Sequence, residues 1–160
     1  MNPGFQITPV ENGLRGSLYA VQVSGQEKTE FDRFLESEEV RAASEYRALV
    51  TRLDDMVERL GFRKQFFKKE GSIRDSVEAL HYGNGKLRLY CLRWSGVLLI
   101  VGYGGVKTTR TYQENPVLRE AVAFLQEVDA RVAARQKTGE IHIDPDTGLI
   151  GGDLVFSGED

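Results

Sequence analysis

The segment "KLRLYCLRWSGVLLIVGYGGVKTTRT", residues 86–111, predicts the centre of the fold. Two runs of strand-forming residues flank Ser95-Gly96, a combination typical of a tight antiparallel hairpin. Because side chains alternate along a strand, the first run has an apolar face formed by Leu87, Leu89 and Cys91. Its opposite face is expected to be a basic, aromatic surface formed by Lys86, Arg88 and Tyr90. The second run is apolar from Val97 to Val101, which predicts a central strand covered on both sides.

The glycines that follow this hairpin precede Lys107 in a pattern that superficially fits a phosphate-binding loop. A nucleotide-binding loop of the Walker type requires glycine immediately before its lysine and a helix that begins at once. Here Val106 precedes the lysine, and the next predicted helix begins only at Pro116. We therefore expect no nucleotide site. Gly104 and Gly105 instead allow the strand end to bend or bulge and direct Lys107 inward.

Flanking segments predict further elements. Residues 17–25 alternate like a strand, and Thr29 can cap a helix over residues 30–37. Residues 40–60 have the apolar spacing of an amphipathic helix, which Gly61 ends. Residues 72–80 predict a helical turn.

The most strongly predicted helix covers residues 116–137. Asn115 is its expected N-cap, Pro116 its first residue, and Gly139 lies just past its end. Short strands are expected on either side of the turn "DPDTG", residues 144–148. Together these elements predict an α+β fold: an antiparallel sheet around residues 85–105, with helices 40–60 and 116–137 packed on one face. The other face is expected to be open and basic.

Length and composition favour one domain, residues 1–160, with 41% hydrophobic residues. Residues 1–61 are expected to form a strand plus a helical elaboration, and residues 62–156 a basic sheet core with the C-terminal helix. Charge follows this division, since residues 62–110 carry 10 Lys and Arg against 3 Asp and Glu, a net charge of +7. The flanking segments are net −4 and −6. A basic segment in an acidic chain indicates an anionic ligand bound locally.

Cys91 is the single cysteine, so an internal disulfide or a thiolate-clustered metal site is excluded. The first residues lack a basic segment followed by an apolar run, and no apolar run is long enough to span a bilayer. A cytoplasmic protein with no membrane partner is therefore expected. The residues also predict no metal site and no cofactor.

The hairpin and the helix after it resemble the RelE/HigB-like toxin superfamily of bacterial type II toxin–antitoxin systems, over roughly residues 85–137. Arg88 matches the family's strand arginine, and Lys107 matches the lysine after the second apolar strand. The resemblance implies a RelE-like fold and a metal-independent endoribonuclease that cleaves mRNA, commonly on the ribosome. It also implies an antitoxin protein that neutralises the activity.

Candidate catalytic residues are Arg88, Lys107, Tyr90 and Lys86. Arginine matches two phosphate oxygens with its planar guanidinium group, and clustered lysines supply further positive charge. Tyr90 shares the face of Arg88 by alternation and is a candidate for base stacking or proton donation. Candidate RNA-binding residues are Arg63, Lys64, Lys68, Lys69, Arg74, Arg93 and Arg110. Exposed basic strand residues are also commonly only solubilising.

A second hypothesis is a non-catalytic RelE-fold binding module that recognises an acidic protein partner or nucleic acid. It predicts binding that weakens with salt and leaves RNA intact. His81 lies at the edge of the basic segment, where a loop residue without a catalytic role is the commoner interpretation.

Overall fold

A computed structural model describes residues 3–70 and 75–158 as a mixed α+β fold built on a mostly antiparallel seven-stranded sheet. The strands are β1 (Phe5–Gly13), β2 (Gly16–Val23), β3 (Phe67–Lys69), β4 (Val77–Leu80), β5 (Leu87–Ser95), β6 (Leu98–Val106), β7 (Ile141–Ile143), β8 (Ile150–Gly152) and β9 (Val155–Phe156). The sheet order is β3-β4-β5-β6-β2-β1-β9, and β7 pairs with β8 separately. The hairpin predicted over residues 86–106 is therefore confirmed as β5 and β6.

Residues before the basic segment are part of the same sheet. Strand β2 runs parallel to β6, with Ser17 opposite Leu98 and Ala20 opposite Val101. Strand β1, which the sequence did not predict, pairs antiparallel with β2. The first 61 residues thus supply two strands of the central sheet.

Helices α1 (Glu30–Glu36), α2 (Glu38–Arg41), α3 (Tyr46–Asp55) and α4 (Pro116–Thr138) connect and cover the strands. The predicted caps are confirmed. Thr29 forms a capping box at α1, and the Asn115 side chain accepts hydrogen bonds from the amides of Val117 and Leu118. Gly139 ends α4 in the left-handed conformation, at φ 86°. Among the described residues, no helix is both long enough and apolar enough to cross a membrane.

The prediction of one continuous helix over residues 40–60 is wrong. Helix α2 ends at Arg41, α3 begins at Tyr46, and a π-helical turn spans Met56–Leu60 before Gly61 ends the segment. A tertiary contact helps to explain the break. Glu45, the residue before α3, accepts a hydrogen bond from the Leu87 amide of β5 at 3.2 Å. Apolar spacing alone does not reveal such a contact.

The predicted packing of helices on one face of the sheet is also wrong. Helix α4 packs on one side, against a core that includes Tyr90, Leu92 and Ile100. Helices α1 and α3 pack on the other side, where Leu89 and Val101 are buried. Because both alternating sets of β5 and β6 side chains are apolar for most of their length, each face needs its own cover. We call the two sides the α4 face and the α3 face.

The prediction of a helical turn over residues 72–80 is wrong for the residues that the structure describes. Val77–Leu80 is strand β4, which pairs with both β3 and β5. Its side chains follow the period of a strand: Val77 and Ala79 lie on the α4 face, and Leu80 lies on the α3 face. Residues 72–74 lie outside the described part of the chain.

Strand β6 contains a bulge, but it lies at Gly102 and Tyr103, just before the predicted glycine pair, and Gly104 and Gly105 pair regularly with Leu89 and Arg88. Leu89 pairs with Gly104 while Cys91 pairs with Val101, so two β6 residues bulge opposite one β5 residue. A Cβ atom at Gly104 would lie 1.9 Å from the carbonyl oxygen of Arg88, which is part of the backbone. Gly104 therefore permits the close approach of β5 that the bulge requires.

We expect Gly104→Ala to destabilise the fold by about 2–4 kcal/mol, because the β5 backbone must move to admit the methyl group. Gly105→Ala is the matched control, since its Cβ would meet only the Leu118 side chain, at 3.3 Å. Urea unfolding of both variants measures the difference. Equal stability of the two would contradict the close approach.

Candidate functional site

Arg88 and Lys107 are brought together on the α4 face. Arg88 lies opposite Gly105, whose Cβ direction points to Leu118 of α4. The Lys107 amide donates a hydrogen bond to the Lys86 carbonyl at 2.7 Å, which continues the pairing past the end of β6. Lys107 is two residues beyond Gly105, so alternation directs it to the face that carries Arg88. The sequence-based placement of both residues on one face agrees with this geometry.

Strand β3 and the residue that follows it add Lys68 and Glu70 to this face. Lys68 pairs with Ala79, and Ala79 pairs with Tyr90, so the three residues lie side by side across the sheet. Glu70 follows Lys68 by two positions, and its amide donates to the Val77 carbonyl at 3.1 Å. We call Lys68, Arg88 and Lys107 the cation cluster.

Glu70 is the buried acid of this site, with only 9% of its surface exposed. Burial raises the pKa of its carboxyl group, although the positive charges of Lys107, Lys68 and Arg88 act in the opposite direction. Burial therefore outweighs the attraction of the cations. A carboxyl group with a raised pKa can exchange a proton closer to neutral pH than an exposed glutamate can.

Arg88 is half-buried and anchored by backbone. Its Nη1 donates to the carbonyls of Gly85, at 2.8 Å, and Leu87, at 3.0 Å. Its Nε is buried and has no hydrogen-bond partner within residues 3–70 and 75–158. Lys68 and Lys107 likewise form no side-chain hydrogen bond or ion pair with any described residue. Lys68 and Lys107 thus retain unused capacity to bind an anion, whereas the unpaired Nε of Arg88 is not accessible to one.

Tyr90 is fully buried, so the expectation that it belongs to an exposed basic surface is wrong. Its ring packs at 6.3 Å from the ring of Tyr112, which lies in a short 3₁₀ turn, Tyr112–Glu114, before α4. Burial, and then the negative charge of Glu70, strongly raise the pKa of its hydroxyl group. The phenol therefore stays protonated, and its oxygen has no hydrogen-bond partner in the described part of the chain.

We expect Tyr90→Phe to stabilise the protein by about 1 kcal/mol, because it removes a buried hydroxyl group that has no partner. Tyr19→Phe is the matched control, since the Tyr19 hydroxyl accepts a hydrogen bond from the Ile150 amide at 2.9 Å. That variant should lose about 1 kcal/mol. Thermal unfolding measures both, and a destabilised Tyr90→Phe would show that its hydroxyl group has a partner.

Two other candidate residues, Lys69 and Arg93, are paired with acidic side chains of the same chain. Lys69 forms an ion pair with Asp75 at 3.1 Å, and Arg93 forms one with Glu78 at 3.1 Å. Arg93 also lies over the ring of Phe67, which belongs to the α3 face. Both cations are therefore engaged in holding the edge of the sheet.

The remaining candidate residues are exposed or undescribed. Lys86 is exposed beside the cation cluster, opposite the backbone of Lys107. Arg63 and Lys64 are exposed at the start of the 3₁₀ turn Lys64–Phe66, and Arg110 is exposed after β6. Arg74 lies outside the described residues.

Sequence reasoning missed Glu70 as a site residue. The available signal was the spacing in "FKKE", residues 67–70, where a strand period would place the glutamate beside Lys68. His81, at the edge of the basic segment, lies near the same charges. Burial lowers the pKa of its imidazole, a hydrogen bond with the Gly83 carbonyl raises it, and Arg88, Lys68 and Arg52 lower it further. His81 is therefore biased toward its neutral form.

A groove of about 650 Å³ elsewhere on the surface is lined by Lys28, Arg33 and Tyr103. Its cations are already paired, Lys28 with Glu36 and Arg33 with Glu30. The groove therefore has less unpaired positive charge for binding an anion than the cation cluster has.

The site has a definite chemical capacity. Three cations without ion-pair partners among the described residues share one face of the sheet with a buried carboxyl group on which their charges act, so the site can bind a phosphate group and exchange a proton. Among residues 3–70 and 75–158, no group of three or more His, Cys, Asp or Glu side chains could hold a metal ion. No protein-family model, no curated protein and no solved structure matches the chain.

Proposed function

We propose that the cation cluster binds a phosphodiester group of RNA and that the protein is a RelE/HigB-like endoribonuclease. The observation that carries the proposal is the juxtaposition of Lys68, Arg88 and Lys107 with the buried carboxyl group of Glu70. The cluster has a surplus of positive charge, which favours a bound anion over an internally neutral arrangement. Arg88 contributes a permanent positive charge, and its Nη2 is the nitrogen left for a phosphate oxygen, since Nη1 donates to two backbone carbonyls and Nε is buried.

In the proposed reaction, the 2′-hydroxyl oxygen attacks the adjacent phosphorus and the bond to the 5′-oxygen breaks. Glu70 accepts the proton of the 2′-hydroxyl group, Arg88 and Lys68 stabilise the charge on the phosphorane, and Lys107 donates a proton to the leaving oxygen. The products are a 2′,3′-cyclic phosphate and a 5′-hydroxyl end. Every step uses groups that this chain supplies.

Following the resemblance to RelE/HigB, we propose two partners: mRNA bound to the ribosome, and an antitoxin protein. Expression of the chain alone in bacteria should then arrest growth, and co-expression of an antitoxin should restore it. A small neighbouring reading frame for a helix-turn-helix protein would support the pairing. Normal growth together with normal protein synthesis would contradict the toxin proposal.

The direct test is incubation of the purified protein with a single-stranded RNA and with DNA of the same sequence, in the presence of EDTA. We expect RNA to be cleaved with a 2′,3′-cyclic phosphate end and DNA to stay intact, because only RNA supplies the attacking 2′-hydroxyl group. A product with a 3′-hydroxyl end, or cleavage of DNA, would contradict the proposed chemistry.

The second proposed function is the non-catalytic binding module. Two observations favour it: Nη1 of Arg88 already donates to two backbone carbonyls, and Tyr90 is buried away from solvent. RNA or an acidic protein that binds with a strong salt dependence, while RNA remains intact, would support this function over the first. Cleavage products would exclude it.

A further inference from the structure

We propose that Tyr82, with Arg52 and Phe66 behind it, forms a stacking subsite for an unpaired RNA base at the end of the sheet, across the β4–β5 connection from the cation cluster. This inference rests on the proposed function, since it identifies single-stranded RNA as the substrate class. Tyr82 lies in the connection between β4 and β5 and is 37% exposed. It is thus a large aromatic side chain that the core leaves accessible.

The ring of Tyr82 is held in place by a cation. The guanidinium carbon of Arg52, on α3, lies 4.6 Å from the centroid of the Tyr82 ring and 4.6 Å from that of Phe66. Phe66 in turn packs against the core of the α3 face. A stacking platform functions best when its ring is fixed before the base arrives, because less conformational entropy is then lost on binding.

Arg52 also adds positive charge to the same surface. Its guanidinium group contacts the two rings, and it forms no ion pair within the described part of the chain. An arginine whose charge is not neutralised, in contact with exposed aromatic carbon, is a combination that single-stranded nucleic acid recognises through both bases and phosphates.

The connection between β4 and β5 links this subsite to the cation cluster. The Gly85 amide donates to the Tyr82 carbonyl at 3.2 Å, and Nη1 of Arg88 donates to the Gly85 carbonyl at 2.8 Å. The Tyr82 ring lies over Arg52 on the side of α3, whereas the cation cluster lies on the α4 face. An RNA strand bound at the cluster would reach the ring by crossing the end of the sheet at this connection.

The ring would accept a base only where that base is unstacked from its own strand, which excludes continuous duplex RNA. Stacking on a ring discriminates little between bases, so we expect tolerance of base identity at this subsite. The substrate class is accordingly single-stranded RNA with at least one free base in the segment that crosses the end of the sheet.

The test compares the affinity of wild-type protein for a single-stranded RNA oligomer, for the same oligomer with abasic ribose positions, and for the corresponding duplex. We expect the natural single strand to bind about 5- to 150-fold more tightly than the abasic one, the range that stacking of one base supplies. This comparison needs no variant. Equal binding of natural and abasic oligomers would overturn the inference and leave the phosphate site intact.

Two variants locate the effect. Tyr82→Leu should lose most of the preference for natural over abasic RNA, while Tyr82→Phe should keep it, because a phenyl ring also stacks. A Tyr82→Leu protein that is folded by circular dichroism and retains the preference would place the stacking elsewhere. Failure of wild-type protein to bind any of the oligomers would overturn the proposed function itself, which is a different outcome from loss of base preference alone.

Discussion

Glu70→Gln is expected to slow RNA cleavage by about 10²–10⁴-fold, the usual contribution of a general base. The same change should tighten RNA binding, because it removes a negative charge beside the bound phosphate while Lys68, Arg88 and Lys107 remain. Few substitutions are expected to move binding and cleavage in opposite directions. Single-turnover cleavage and equilibrium binding, measured on the same oligomer, test both effects.

The pH dependence follows from the direction of the Glu70 pKa shift. Burial raises the pKa of this carboxyl group in the folded protein, so the folded state binds its proton more tightly than the unfolded state does. The folded state is therefore favoured at low pH, and this contribution is lost as the pH rises from the unfolded pKa through the folded pKa. At neutral pH, Glu70→Gln should leave stability unchanged or increase it, and the gain should vanish as the pH falls.

Cleavage should follow the opposite trend, because a general base acts in its deprotonated form. Its rate should rise with pH through the raised pKa of Glu70, and the variant should lack that rise. Glu120→Gln, which alters an exposed carboxyl group on α4, is the matched control and should leave activity unchanged. A Glu70→Gln protein that cleaves at the wild-type rate would remove this residue from the chemistry.

Local signals in the sequence predicted the elements that depend on neighbouring residues. The β5–β6 hairpin follows from alternation and a two-residue turn, and the ends of α4 follow from Asn115 and Gly139. The positions of Arg88 and Lys107 on one face also follow, because alternation along two paired strands needs no knowledge of distant parts of the chain.

The features that the sequence did not predict depend on distant contacts. The parallel pairing of β2 with β6 joins Ser17 to Leu98, and no local pattern specifies that partner. Glu70 reaches the site only through the pairing of β3 with β4 and of β4 with β5, so alternation within β5 and β6 could not reveal it.

Lys107→Ala is expected to weaken RNA binding by about 10- to 100-fold, the value of a hydrogen bond between charged groups. The melting temperature should stay close to that of wild type for two reasons. Alanine keeps the amide that donates to the Lys86 carbonyl, and the lost attraction to Glu70 is offset by relief of repulsion from Arg88. The slope of log affinity against log salt concentration should also fall by about one unit.

Lys137→Ala is the matched control, because it removes an exposed lysine at the far end of α4 and lowers the net charge equally. If general electrostatic attraction were responsible for binding, the two variants would lose affinity equally. If Lys107 contacts the phosphate, only its variant should lose both affinity and cleavage. A fully active Lys107→Ala protein would remove the lysine from the site and contradict the proposed RelE/HigB-like function. The remaining cations, Lys68 and Arg88, would then support an anion-binding module.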